Sequence, residues 1–406
     1  MQRSLPTSSS RPRTPDFSAS PRDLGAIPFN RPFATGREIE YMRQALAGLH
    51  IAGDGAFTRR CQEHLESLLG APRVLLTTSC TDALEMAALL LRIRPGDEVI
   101  VPAFSFVSTA NAFVLHGARP VFADIRSDTL NLDEDRVESL IGPRTKAIVV
   151  VHYAGIGCEM GRIGEIAAHH GLAVIEDNAH GLLGRWNGRP LGSFGRLATL
   201  SFHETKNFSC GEGGALVVND GNLVERAEIL REKGTDRAGF FRGEVDRYTW
   251  KDVGSSYLPS DLLAAFLLAQ FEAADTIQHE RRRVWNRYFE GLRQWSQYHG
   301  ARLPAIPDQS DQPYHMFYLL LPSAEGQQGL IDHLRGFRIQ AVFHYQPLHV
   351  SAMGRRFGGE PGQCPVTEKI SQTIVRLPLH AGLSEGEQER IIDCVCQFSW
   401  SRVAAR

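Results

Sequence analysis

No stretch of the 406-residue chain approaches the length of apolar sequence that a membrane span needs. No C-x-x-C pair occurs, and the seven cysteines (Cys61, Cys80, Cys158, Cys210, Cys364, Cys394 and Cys396) are odd in number and dispersed. This argues against a disulfide framework and for a reducing compartment, the cytoplasm. Excess charge is also missing. The formal net charge is −2, so nothing here holds a polyanion such as DNA by bulk electrostatics. The densest basic cluster, Arg281-Arg282-Arg283, lies inside a helical pattern and reads as a solvated helix face. Internal repeats are absent. The first 24 residues have several arginines, serines and prolines but no apolar core, which excludes a secretory signal. Transit peptides share their Arg-rich, acid-poor composition, but they read as a disordered N-terminal extension.

What is present is an alternation of helix-like and strand-like segments from about Ile27 onward. Leu84–Leu91 has a wide apolar face and reads as a helix. Val74–Leu76, Glu98–Val101, Pro120–Ala123, Ala147–Val151, Leu172–Ile175 and Leu197–Leu200 are short apolar runs suited to buried strands. Helical stretches such as Ile163–Gly171 separate them. The pattern predicts an α/β architecture, a mostly parallel sheet covered by helices. Ser260–Phe289 reads as one long helical segment leading to a smaller α+β unit. That unit has strands at Met316–Leu321 and Ile339–Phe343 and helices at Gln327–Arg335 and Glu385–Phe398. The expected organisation is 1–24 extension, 25–280 large domain and 281–406 small domain.

In such sheets ligands gather beyond the carboxyl ends of the strands. Lys206 follows the run Leu197–Leu200 and sits among glycines and small polar residues, a setting that suits a Schiff-base lysine. Asp177 ends another apolar run, where a carboxylate can keep a pyridinium nitrogen protonated and so make the ring a better electron sink. Thr77-Thr78-Ser79-Cys80-Thr81-Asp82 lies between a strand and a helix start, whose unpaired N–H groups and positive dipole end suit a phosphate. Simple N-capping accounts for the same residues. Phe106, after a strand end, is placed to stack on a flat ring, and Ser201 offers a further hydroxyl. Together the four signals point to a phosphorylated aldehyde cofactor. His344 and His349 have no third ligand at a familiar spacing, so packing or substrate contact is expected in place of a metal. His152 is open to either structural or substrate-side work.

The chain resembles the DegT/DnrJ/StrS-type sugar-nucleotide aminotransferases over about Ile27 to Phe398. The resemblance is carried by the runs Gly53–Arg60, Phe106–Val114, Val151–Gly155, Ser201–Asn207, Arg231–Thr235, Tyr248–Trp250, Gly254–Leu258 and Val342–His349. It implies the fold-type I architecture of enzymes that use pyridoxal 5′-phosphate (PLP). It also implies that Lys206 binds the cofactor covalently and then shuttles the proton, that Asp177 binds the ring nitrogen and that Phe106 stacks on the ring. Cys80, Thr81 and Ser201 would hold the phosphate, and His180 would lie near the ring hydroxyl. His152, Tyr153, His344 and His349 would face the substrate. In the wider family a partner subunit often supplies an asparagine to the phosphate, whereas this chain carries Ser256 there. The interface inference still implies a homodimer with shared active sites.

Within the family, these runs are most similar to the subgroup that makes dTDP-4-amino-4,6-dideoxygalactose for enterobacterial common antigen. The implied substrates are L-glutamate and a nucleotide-linked 4-keto-6-deoxyglucose, with no nucleic-acid or membrane partner. Another keto-sugar, with the ketone at the 3-position or the product of opposite configuration, is the alternative. A sugar dehydratase fits less well, because a histidine replaces the lysine in those relatives. A PLP-binding transcriptional regulator would need a DNA-binding domain that 24 residues cannot supply.

Overall fold

The structure is a computed structural model that describes residues 25–399; the extension expected at the N-terminus lies outside them. Its centre is a seven-stranded sheet built from β1 (Arg73–Thr77), β2 (Glu98–Pro102), β3 (Arg119–Ala123), β4 (Thr145–Val151), β5 (Ala173–Asp177), β6 (Leu197–Ser201) and β7 (Gly214–Val218). The spatial order is β1-β7-β6-β5-β4-β2-β3. From β6 across to β3 every pairing is parallel, and β7 alone runs against its neighbours β1 and β6. This is the α/β architecture that the alternating runs predict. The antiparallel β7 has no counterpart among those expected strands.

The sheet is apolar on both faces because side chains alternate along each strand. Leu75, Val149 and Leu216 pack on one side with helix Cys80–Leu90. Leu76, Leu200 and Val217 pack on the other with helix Asp261–Glu272. A separate core joins helices Ala274–His299, Ala324–Gly336 and Glu385–Gln397 to the antiparallel pair β8 (Phe317–Leu320) and β9 (Ile374–Leu377). Among the described residues no helix is long and apolar enough to cross a membrane.

Three sequence expectations differ from the structure. The segment Ser260–Phe289 is two helices broken at Ala273, the first capped by Ser260 and packed on the sheet. The boundary expected at 280 therefore falls inside the second helix, and Ile27 packs in the second core through a parallel bridge to Ile339. Ile339–Phe343 is not a strand. Its ends bridge different partners, Ile339 to Ile27 and Val342 to Arg376, so no continuous ladder forms.

Gly214 fixes how closely β7 passes under the start of helix Cys80–Leu90. A Cβ at that position would lie 2.3 Å from the backbone nitrogen of Cys80 and 2.3 Å from the carbonyl carbon of Ser79. Backbone cannot yield as a flexible side chain would. Replacing Gly214 with Ala is expected to cost about 1–3 kcal/mol of stability, as overpacking does. Denaturant titration of G214A checks this, and an unchanged midpoint would contradict the packing argument.

Candidate active site

The carboxyl ends of β2, β4, β5 and β6 open onto a cavity of about 880 Å³. Its lining includes Ser79, Cys80, Thr81, Phe106, Asp177, His180, Ser201 and Lys206 from the sheet side, with His315, His344, Tyr345 and Arg376 from the second core. All eight residues expected to serve the cofactor, except Ser256, therefore converge on one space.

Consecutive acids at the end of β5 divide two tasks. Glu176 is fully buried and accepts backbone N–H bonds from Gly192 (2.7 Å), Phe194 (2.6 Å) and Gly195 (2.6 Å). His152 Nε2 meets the same carboxyl group at 2.9 Å, and His152 Nδ1 accepts from the N–H of Cys158 at 3.1 Å. Asp177 points into the cavity. Its Oδ2 accepts from the Thr109 hydroxyl at 2.7 Å, and Oδ1 accepts from the Ala179 N–H at 3.3 Å. Burial raises the Asp177 carboxyl above its ordinary value, opposed by the Thr109 bond and the charge of Lys206.

Lys206 lines the same cavity. Burial lowers its amine below the ordinary value of 10.5, with Arg376 adding to the fall and Cys80 and Asp177 opposing it. Its neighbour Asn207 ties the lysine loop to the second core: its Nδ2 donates to the Pro313 carbonyl at 2.7 Å, and its Oδ1 meets His315 Nδ1 at 2.8 Å. The His315 ring stacks on His180 at 4.4 Å between centroids. His180 Nδ1 is buried without a hydrogen-bond partner, which leaves it free for a ligand group.

At helix Cys80–Leu90, Ser79 is the cap, accepting from the Asp82 N–H at 3.0 Å. Thr78 bonds the Asp82 carboxyl group, and Thr81 Oγ1 meets Ser108 Oγ at 2.8 Å. The Cys80 thiol lies 3.4 Å from Thr199 Oγ1 and is raised by burial, so it remains a neutral contact. Phe106 is 57% exposed, a large aromatic face turned to the cavity without a packed neighbour over all of it. These residues fit PLP: an amine for its aldehyde, a carboxyl group for its ring nitrogen, a helix N-terminus with hydroxyls for its phosphate, and an orphaned nitrogen on His180.

Of the residues expected to face the substrate, His344 lines the cavity and Tyr153 stands directly behind it, its hydroxyl 2.8 Å from His344 Nδ1. His152 and His349 are fully buried and do not line it. Each is instead paired with a carboxyl group, His152 with Glu176 and His349 with Glu368 at 2.9 Å. Neither ring is therefore placed to touch a substrate in the cavity, contrary to the expectation for both. Ser256 is exposed and away from the cavity, bridged to Glu232. Sequence reasoning missed Thr109, His315 and Arg376. An arginine inside the apolar run Ile374–Leu377 was the available signal for the last.

The chain is similar to known proteins over most of its length. The model of the DegT/DnrJ/EryC1/StrS aminotransferase family matches residues 33–396. Spore coat polysaccharide biosynthesis protein SpsC of Bacillus subtilis is 30% identical over 377 residues, covering 91% of this chain and 96% of that protein. GDP-perosamine synthase of Caulobacter vibrioides is 32% identical over 382 residues, covering 92% and 99%. Among solved structures, Spr1654 of Streptococcus pneumoniae in its PLP form superposes with a TM-score of 0.83 at 26% identity, covering 91% of this chain and 97% of that one.

Glu176→Gln puts an NH2 donor in place of one acceptor oxygen, facing either the N–H groups of Phe194 and Gly195 or that of Gly192 and the ring of His152, and is expected to cost roughly 2–4 kcal/mol, read by denaturant titration. A stability loss near zero would show that the carboxyl group does not organise this loop. For Lys206 the sign is set by a lowered amine: the neutral, nucleophilic form is reached at lower pH than in a free lysine. Labelling of the cofactor-free protein with an amine-reactive reagent, followed at Lys206 by mass spectrometry, should reach half its maximal rate below pH 10.5. A midpoint at or above that value contradicts the burial argument.

Proposed function

The chain belongs to the DegT/DnrJ/EryC1/StrS aminotransferase family, and from that premise we propose that it aminates a dTDP-linked 4-keto-6-deoxy-D-glucose. It is a PLP-dependent sugar aminotransferase of fold type I. In the proposed reaction L-glutamate is the amino donor, and the products are dTDP-4-amino-4,6-dideoxy-D-galactose and 2-oxoglutarate. PLP, when bound, supplies the electron sink for the carbanion that forms at the donor carbon. Asp177 would bind its ring nitrogen and keep it protonated. Lys206 Nζ takes the proton from the donor carbon and later delivers one to C4 of the sugar. Phe106 would stack on the ring, and Cys80, Thr81 and Ser201 would hold the phosphate end.

The observation that supports this substrate is where two of the subgroup-like runs meet. Val151–Gly155 and Val342–His349 are far apart in sequence, yet Tyr153 and His344 join at 2.8 Å at the cavity wall. There His344, held from behind by Tyr153, can orient the sugar and help select the face that receives the proton, giving the galactose configuration.

We also propose a cytoplasmic homodimer. The seven cysteines are free thiols. Bridges from Glu232 to Ser256 and from Thr235 to Trp250 set Ser256 on the same segment as Trp250, which is 82% exposed. Phe241 and Tyr248 add exposed aromatic surface nearby. Such a patch suits an isologous contact that carries Ser256 to the partner's phosphate site.

The test is to offer the purified protein L-glutamate with a panel of 3-keto and 4-keto dTDP- and UDP-sugars. Proton NMR should show an axial amine at C4 of the dTDP product, and Lys206→Ala should abolish turnover. A 3-amino product, or an equatorial C4 amine, refutes the substrate assignment and leaves the family unaffected.

A further inference from the structure

Residues 27–33 form a strap that leads from the second core, along the cavity, to the first. Ile27 donates its N–H to the Arg338 carbonyl at 2.9 Å and accepts from the Gln340 N–H at 3.0 Å. The Phe29 N–H reaches Gln340 Oε1 at 3.1 Å, and Arg31 pairs with Glu387 at 3.1 Å. At the other end the Phe33 carbonyl accepts from Gln270 Nε2 at 2.8 Å, on the helix Asp261–Glu272 that packs on the sheet. Pro28 and Pro32 fix φ on either side of Phe29–Arg31, which lowers the entropy cost of holding the strap in place.

At the middle of the strap Asn30 meets the lysine loop. That loop closes on itself through the Lys206 N–H to the His203 carbonyl at 2.9 Å and the Thr205 N–H to His203 Nδ1 at 3.3 Å. The carbonyl of Glu204, two residues before the lysine, is left over, and Asn30 Nδ2 donates to it at 2.9 Å. Beside this bond lies a second, narrow cleft with room for roughly one water. Its rim residues Arg31, Pro32 and Glu204 are exposed, so it opens to solvent. Among the described residues only Asn30 and Lys206 line both this cleft and the main cavity. One side chain thus stands where the two spaces meet at the lysine.

We propose that Asn30 is a positioning residue for Lys206: its bond to Glu204 holds the lysine loop against the strap and closes the cleft to water behind the amine. The inference rests on Lys206 as the reacting amine of the aminotransferase site. Cys80, Asp177 and Arg376 act on that amine by their charge, and the rings of His180, His315 and His344 lie close enough to feel it. None of these six hydrogen-bonds residues 203–206 among the described contacts, so none holds the turn in place of Asn30. Burial lowers the amine, and water admitted through the cleft moves it back toward 10.5.

The pH midpoint for labelling Lys206 in the cofactor-free protein, followed by mass spectrometry, reads that change. N30A and N30L, the second keeping the side-chain bulk without the donor, should raise the midpoint by roughly 0.5–1 pH unit. N30Q keeps an amide donor and should stay closer to wild type. In the PLP-loaded enzyme N30A should lower kcat about 10-fold, with KM for either substrate moving less than about twofold. An unchanged midpoint in N30A and N30L overturns the proposal. So does a rise in KM alone, which makes Asn30 a substrate contact. A wild-type midpoint already at 10.5 leaves nothing for the bond to protect and overturns it as well. Denaturant titration separates local loosening from loss of the fold, and N30L carries the comparison if N30A folds poorly. Labelling needs neither cofactor nor sugar, so a different keto-sugar refutes the substrate assignment while the role of Asn30 is still decided.

Discussion

The organisation of the site depends on one buried carboxyl group, that of Glu176. It gathers three backbone N–H groups of the 192–195 loop and the ring of His152 at a single strand end. In turn the backbone N–H of His152 reaches the backbone carbonyl of Asp177 at 3.4 Å, and the 192–195 loop leads into β6, which carries Ser201. Strand geometry sends neighbouring side chains to opposite faces. Holding Glu176 on one side therefore presents Asp177 on the other. One acid is consumed by structure so that the next can be aimed at a ligand.

That division explains what was legible in the sequence. Lys206, Asp177, Phe106 and the Thr77–Asp82 run could be found because each follows an apolar strand run and carries unusual chemistry for that position. Their convergence follows from the parallel sheet, since strands that point the same way deliver their ends to the same edge. The histidines were harder. His152 and His349 look like active-site residues by type and neighbourhood, but their partners, Glu176 and Glu368, are 24 and 19 residues away. Only the fold shows that those rings are already occupied. β7 was missed because its first residue belongs to a glycine-rich run that reads as loop. Yet Gly214 is the residue that lets the strand pass beneath Cys80.

The cavity's electrostatics come from both cores. Desolvation works in one direction on every group, favouring the neutral form of acids, amines and imidazoles alike. Against that background Lys206 and Asp177 support each other's charge, while Arg376 and Lys206 oppose each other. A lysine amine lowered in this way is closer to the neutral form that nucleophilic attack and proton removal require. The second core thus tunes the lysine without touching it.

It follows that the relative placement of the two cores is a chemical variable. Asn207 is bonded to Pro313 and His315, His315 stacks on His180, and Arg281 holds the carbonyls of Tyr314 and His315 from behind. This chain of contacts runs from the residue beside the lysine to the buried face of a helix of the second core. A shift along it would change the distance between Arg376 and Lys206, and with it the ease of deprotonating the amine. Packing that looks remote from the chemistry therefore adds to the lowering of the amine that burial begins.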